Sequence, residues 1–183
     1  MRRDDFVQQQ FSWFTGVVED IADPSKINRV KVRPFGWYSD NKKTLPTSDL
    51  PWATVMMPST SASFKQNGAS HQLEVGSWVV GFFRDGPNAQ DPMVMGSIAS
   101  RTEGVIDTPI EHSTTNKVFK SQAGHLVEFE NKDGDEKISI THSNGANITI
   151  DKDNNLSITN TGSTSITSTG PINITSAVKT TIL

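Results

Sequence analysis

Apolar and polar positions alternate with a period of two along most of this chain, the signature of half-buried strands, and no stretch sustains the 3.6-residue period of an amphipathic helix. Phe14, Gly16 and Val18 alternate with Thr15, Val17 and Glu19 in a strand expected over 11–21. Over 29–35, Val30 and Val32 oppose Arg29, Lys31 and Arg33, which predicts a strand with one cationic face. A third strand at 52–57 is limited by Pro51 and Pro58. Strands at 77–84 and 93–99 complete a set of five, which predicts a small β-barrel of the OB type. Between them lie a polar loop at 37–50 and a long loop of small residues at 59–74.

The pattern changes in the last third. Ile150, Ile158, Ile166, Ile174 and Ile182 recur every eight residues, each preceded by two positions by Ile148, Leu156, Thr164, Ile172 or Thr180. Each octad predicts one short strand, with Thr149, Ser157, Ser165, Asn173 and Thr181 on the opposite face and turn formers between strands. Upstream, strands expected at 118–119, 126–130 and 137–141 follow a looser repeat. One octad is too short for a coil of a single-chain solenoid, which needs roughly 20 residues. Its two apolar side chains also bury too little to offset the ordering of eight residues. Three chains, each giving one strand to one wall, make a layer of about 24 residues. The octads therefore predict an intertwined homotrimeric β-helix, a β-prism, with Ile138, Ile140, Ile148, Ile150, Leu156, Ile158, Ile166, Ile172, Ile174 and Ile182 in its core. The alternative, a disordered Ser/Thr-rich tail, is opposed by the fixed phase of the isoleucines.

Composition divides the 183 residues near position 120: all four Trp, the single Tyr and all Phe but Phe129 precede it. The expected organisation is an arm at 1–10, the barrel at 11–100, a linker at 101–117 and the rod at 118–183. A net charge of -3 gives no general pull toward nucleic acid or acidic lipid. The absence of cysteine excludes disulfides and Cys-based zinc sites and suits assembly in a reducing cytoplasm. No membrane span or signal peptide is expected.

Candidate chemistry is thin. The carboxylate clusters Asp4 with Asp5, Glu19 with Asp20, and Asp133 with Asp135 and Glu136 fall in turns or at strand ends, where no apolar pocket would raise one partner for acid/base work. His71, His112, His125 and His142 lack the close spacing that puts two imidazoles on one metal, although His142, two residues beyond Ile140, would face the axis of a trimer. Ser59, Ser63 and Ser70 near His71 have no nucleophile elbow, and Gly76 to Gly81 is no phosphate loop. No catalytic residue, cofactor or metal is assigned. Arg29, Lys31 and Arg33 with Trp37 and Tyr38 are the best case for a nucleic-acid surface, opposed by the nearby Glu19, Asp20 and Asp23.

Four segments, WFTGVVEDIADPSKINRVKVR (13–33), LPWATVMMPSTSA (50–62), VGSWVVGFF (75–83) and DPMVMGSI (91–98), resemble the OB-type domain of the central spike of contractile-tail phages, to which the spikes of type VI secretion systems are similar. The resemblance implies a homotrimer in the virion baseplate, seated on a ring-shaped hub and driven through the host envelope when the sheath contracts. The loops at 38–49 and 59–74 are the expected docking surfaces for a separate hub protein, because the barrel begins within a dozen residues. The segment 101–117 is too short for the lysozyme domain that some members carry, and no His-x-His apex follows His142. Ile182 and Leu183 are therefore expected to contact a separate PAAR-like tip protein. The expected function is mechanical puncture without catalysis or nucleic-acid binding. The alternatives are an oligomeric OB-fold nucleic-acid binder and, more remotely, a peptidoglycan hydrolase.

Overall fold

Strand β1 (Ser12–Asp20) buries Phe14, Gly16 and Val18, and β2 (Val30–Pro34) buries Val30 and Val32 against them, as their alternation requires. A computed structural model describes residues 12–70 and 72–175; the expected arm, His71, Ile182 and Leu183 lie outside the described residues. The chain is all-β. Strands β3 (Trp52–Val55), β4 (Trp78–Phe83) and β5 (Pro92–Ser97) join the first two in a closed barrel of order β1-β2-β3-β5-β4. Each pairing is antiparallel except β3 with β5. That closed five-stranded order is the OB barrel. Phe14, Val18, Val30, Val32, Ala53, Val79, Phe83 and Val94 fill it. Among the described residues, helix is confined to single 3-10 turns at Thr47–Asp49 and Gly86–Asn88.

Two glycines let the barrel close. A Cβ on Gly81 would lie 2.2 Å from the Met93 carbonyl oxygen and 2.6 Å from the Phe14 ring. One on Gly16 would lie 2.6 Å from the Arg33 carbonyl oxygen. Backbone meets backbone at both points, and only a residue without a side chain fits.

The chain divides into two compact units, Met1–Thr108 and Pro109–Leu183. A small hairpin, β6 (Arg101–Thr102) with β7 (Val105–Ile106), occupies part of the segment expected as linker. The second unit is a meander of five antiparallel strands: β8 (Asn116–Lys120), β9 (Leu126–Glu130), β10 (Lys137–Thr141), β11 (Asn147–Asp151) and β12 (Leu156–Thr159). The first octads are thus strands, as their spacing predicts. From Asn160 to Thr175 no further strand forms, and Ile166, Ile172 and Ile174 are exposed. Thr164 takes the place of the first apolar residue in its octad, although Ile172 and Ile174 form a full pair, and among the described residues no neighbouring strand completes the backbone hydrogen bonds of these octads.

Replacing Gly81 with Ala is expected to destabilise the barrel by roughly 1–3 kcal/mol, the usual penalty of overpacking. Urea unfolding followed by tryptophan fluorescence reads it directly, since all four Trp lie in the first unit. An unchanged midpoint would show that the close approach at Gly81 is not a constraint.

Candidate functional site

Register decides which side chains of the second unit share a face. Ile138 pairs with Phe129 on β9 and Ile150 on β11, and Ile150 pairs with Leu156 on β12. Ile140 pairs with Val127 and Ile148, and Ile148 with Ile158. Phe119 on β8 pairs with Val127. Because residues directly opposite point to the same side, two apolar rows form: Phe129–Ile138–Ile150–Leu156 across β9 to β12, with Lys117 opposite Phe129 on β8, and Phe119–Val127–Ile140–Ile148–Ile158 across the whole sheet. Nothing among the described residues covers them. Ile140 is 53% exposed and Ile158 66%, whereas on the opposite, polar face Ser139 is 6% exposed and Asn116 3%.

That inversion has a visible cause. Residues 109–115 lie over the polar face and are tied to it. The Asn116 side chain donates to the Glu111 carbonyl at 2.7 Å and to Glu128 Oε1 at 2.9 Å, and it accepts the Ser113 N–H at 2.7 Å. Glu128 also accepts from Ser139 at 3.4 Å and meets Lys137 at 3.2 Å. Lys120 pairs with Glu111 at 2.6 Å and, as the main cause, holds that carboxyl below its ordinary range. Among the described residues, the sheet's cover therefore sits on the side that water could have served, and the side that water serves badly stays open.

Among the expected core residues, Ile138, Ile140, Ile148, Ile150, Leu156 and Ile158 are brought together on this one face. Ile166, Ile172 and Ile174 lie beyond the last strand, and Ile182 and Leu183 lie outside the described residues.

In the barrel, the cationic face expected on β2 is not solvated. Lys31 is 7% exposed and Arg33 4%. The loop over 37–50 folds across them and turns its carbonyls inward. Lys31 Nζ donates to the carbonyls of Thr47 and Ser48. Arg33 donates to those of Ser39 at 2.5 Å and Leu45 at 2.9 Å, and it forks onto Glu19 at 2.8 and 3.0 Å. Thr47 Oγ1 and Lys42 complete the Glu19 site at 2.7 and 3.1 Å. A buried cation needs such a full set of acceptors. Only Arg29 keeps a partly open side chain, and it is occupied by Asp23 at 2.7 Å. The groove of free cations that a nucleic-acid surface would need is therefore absent on this strand.

Of the carboxylate clusters, Glu19, Asp20 and Asp135 are employed structurally, and Asp4 and Asp5 lie outside the described residues. Hydrogen bonding from Arg33 pulls the Glu19 carboxyl down to about 2, against the opposing effect of burial, which is the reverse of what a general acid requires. Asp20 accepts the Ala22 N–H, and Asp135 pairs with Lys132 in its turn. Ser61 is stitched to the backbone of Ala69 across the 59–74 loop. No group of three or more His, Cys, Asp or Glu side chains able to hold a metal occurs among the described residues. One juxtaposition escaped the spacing argument: the rings of His125 and His142, seventeen positions apart in sequence, lie 4.4 Å apart. The signal was present in the hairpin, because a register pairing Val127 with Ile140 also sets His125 opposite His142.

The family whose pattern matches this chain is described as the Gp5 N-terminal OB domain, and the match covers residues 35–169. The matched span begins beyond β2 and runs into the second unit; hydrogen-bonded closure, not that span, marks the limits of the barrel. Among curated proteins, a Vibrio phage KVP40 protein named Protein Gp5 is 34% identical over 114 residues, which is 60% of this chain and 27% of that protein. The pre-baseplate central spike protein Gp5 of Enterobacteria phage T4 is 38% identical over 87 residues, 44% of this chain and 15% of that protein. The chain thus matches less than a third of the length of either relative.

The Glu19 site makes a pH prediction. A carboxyl whose folded value lies near 2, below its ordinary 4.5, contributes stability fully above pH 4.5 and loses it as pH falls from there toward 2. Urea titrations across that window should show the barrel weakening steeply. In the E19Q variant that part of the acid limb should flatten, and neutral-pH stability should fall by roughly 3–5 kcal/mol because Arg33 stays buried with its charge uncompensated. An E19Q barrel as stable as the parent at pH 7 would contradict the reading of this ion pair.

Proposed function

Since the chain belongs to the Gp5 N-terminal OB domain family, we propose that it is the central spike of a contractile-tail phage baseplate and acts as a homotrimer. One observation carries the reading: the two uncovered apolar rows of β8–β12. Burying their nine large side chains between copies is worth on the order of 10–20 kcal/mol per chain. Three such sheets, apolar faces inward, form the walls of a triangular prism with each polar face and its 109–115 cover outside. Below the walls, the octads from Asn160 onward find in the other two chains the strands they lack in their own. The result is a closed ladder that resists bending, because many hydrogen bonds must break together.

The rest of the reading follows from this assembly. The barrel seats the trimer on a separate hub protein. Loop 59–74 supports this role best: its hairpin tip carries Phe64, 67% exposed, on a Phe64 to Asn67 bridge. Loop 38–49 is less available, being pinned to β2 by Lys31 and Arg33. Ile182 and Leu183 are proposed to meet a PAAR-like tip protein. The particle is assembled in the host cytoplasm, sits on the baseplate axis of the virion, and pierces the envelope by transmitted force without catalysis.

Electron microscopy of particles carrying a labelled chain tests this. Label on the tail axis at the baseplate is expected; label elsewhere on the tail, or a clear zone on a cell-wall zymogram, would contradict it. Substituting both Ile148 and Ile158 with Asp should keep the chain out of particles while the barrel retains its own unfolding transition. Particles that still incorporate the double variant would show that this face is not buried in the assembly.

A further inference from the structure

The two edges of the apolar face carry complementary chemistry. At one edge, His125 and His142 extend β9 and β10 beyond the Leu126–Thr141 pair, so the imidazoles stand on the apolar side next to Val127 and Ile140. His125 Nδ1 accepts the Ser143 N–H at 3.3 Å, and His142 Nδ1 accepts the Asn144 N–H at 3.1 Å. A neutral ring that accepts through Nδ1 carries its proton on Nε2. The pair therefore offers two adjacent Nε2–H donors, neither of which meets an acceptor among the described residues. Together with Phe119, Val127 and Ile140 they line a cleft of about 330 Å³.

At the opposite edge, Glu136 precedes β10 and lines a second cleft with Phe129, Ile138 and Ile150. Its neighbours are engaged: Glu130 accepts the N–H groups of Asn131 and Lys132, and Asp135 pairs with Lys132. The Glu136 carboxylate has neither an ion pair nor a hydrogen bond among the described residues. It cannot reach the imidazoles of its own chain, since six residues of extended strand hold the two ends about 20 Å apart.

A threefold axis resolves both vacancies. In a three-walled prism the trailing edge of each wall abuts the leading edge of the next, a heterologous contact that closes after three repeats. Resting on the trimer proposed above, we infer that at each corner the His125–His142 pair of one copy donates to the Glu136 carboxylate of the next. The contact sets how the walls follow one another. A slip by one strand would present Lys152, which follows β11, in place of Glu136 and set a cation against two donors.

The absence of cysteine makes this testable without background. With H142C and E136C introduced together, mild oxidation should convert most of the protein into a covalent trimer on a non-reducing denaturing gel, reverting to monomer with reductant. Each single variant should stay a monomer band. A link within one chain is excluded, because a disulfide needs Cα atoms within about 7 Å. If the double variant sediments as a trimer yet runs as a monomer band, the corner pairing is wrong while the trimer stands. If the parent chain itself sediments as a monomer, the trimer reading has failed and the pairing with it. Should the parent be trimeric and the H142C/E136C chain not assemble, H125C with N131C, which leaves His142 and Glu136 in place at the same corner, decides by the same band: a covalent trimer supports the pairing and a monomer band overturns it.

Discussion

A sheet whose isoleucine face stands open while Asn116 and Ser139 on its polar face are buried presents to water the side that water serves badly. In the second unit, residues 109–115 are tied to Asn116 and Lys120, and the isoleucines of the other face stand about half exposed. Contiguous apolar patches of this extent mark association surfaces. The unit thus has secondary structure of its own but no interior of its own, and what supplies that interior is the question on which its function turns.

The barrel stands in contrast. Its strands close on themselves, its core is filled by its own Phe and Val side chains, and even the charges on β2 are satisfied from within by Glu19 and by carbonyls of the 37–50 loop. The two units differ along this line. The first is filled from within, and the second leaves its apolar face uncovered among the described residues. Such a division suits the proposed rod, in which rigidity comes from ladders closed between chains and not from the barrel.

Much of this was legible in the sequence, for identifiable reasons. The period-two alternation of Phe14, Gly16 and Val18 placed β1 to within a residue at each end, and the spacing of Ile138, Ile140, Ile148 and Ile150 placed them on one face. These depend on local geometry that a side-chain pattern encodes directly. The burial of Lys31 and Arg33 was not legible. Their alternation with Val30 and Val32 reads as a solvated face, and only the tertiary fold of the polar loop supplies the acceptors that cover them. Likewise the His125–His142 contact depends on hairpin register, which a scan for close metal-ligand spacing does not see. The octads after Asn160 show the converse case. Their repeat is plain in the sequence, while the ladders it calls for are not present among the described residues.

The mass of the intact molecule in solution tests the central claim most directly. Sedimentation equilibrium of the unmodified chain across micromolar concentrations should give a single species of three times the 20.0 kDa chain mass. A species of 20.0 kDa, stable with its isoleucine rows in water, would contradict the account.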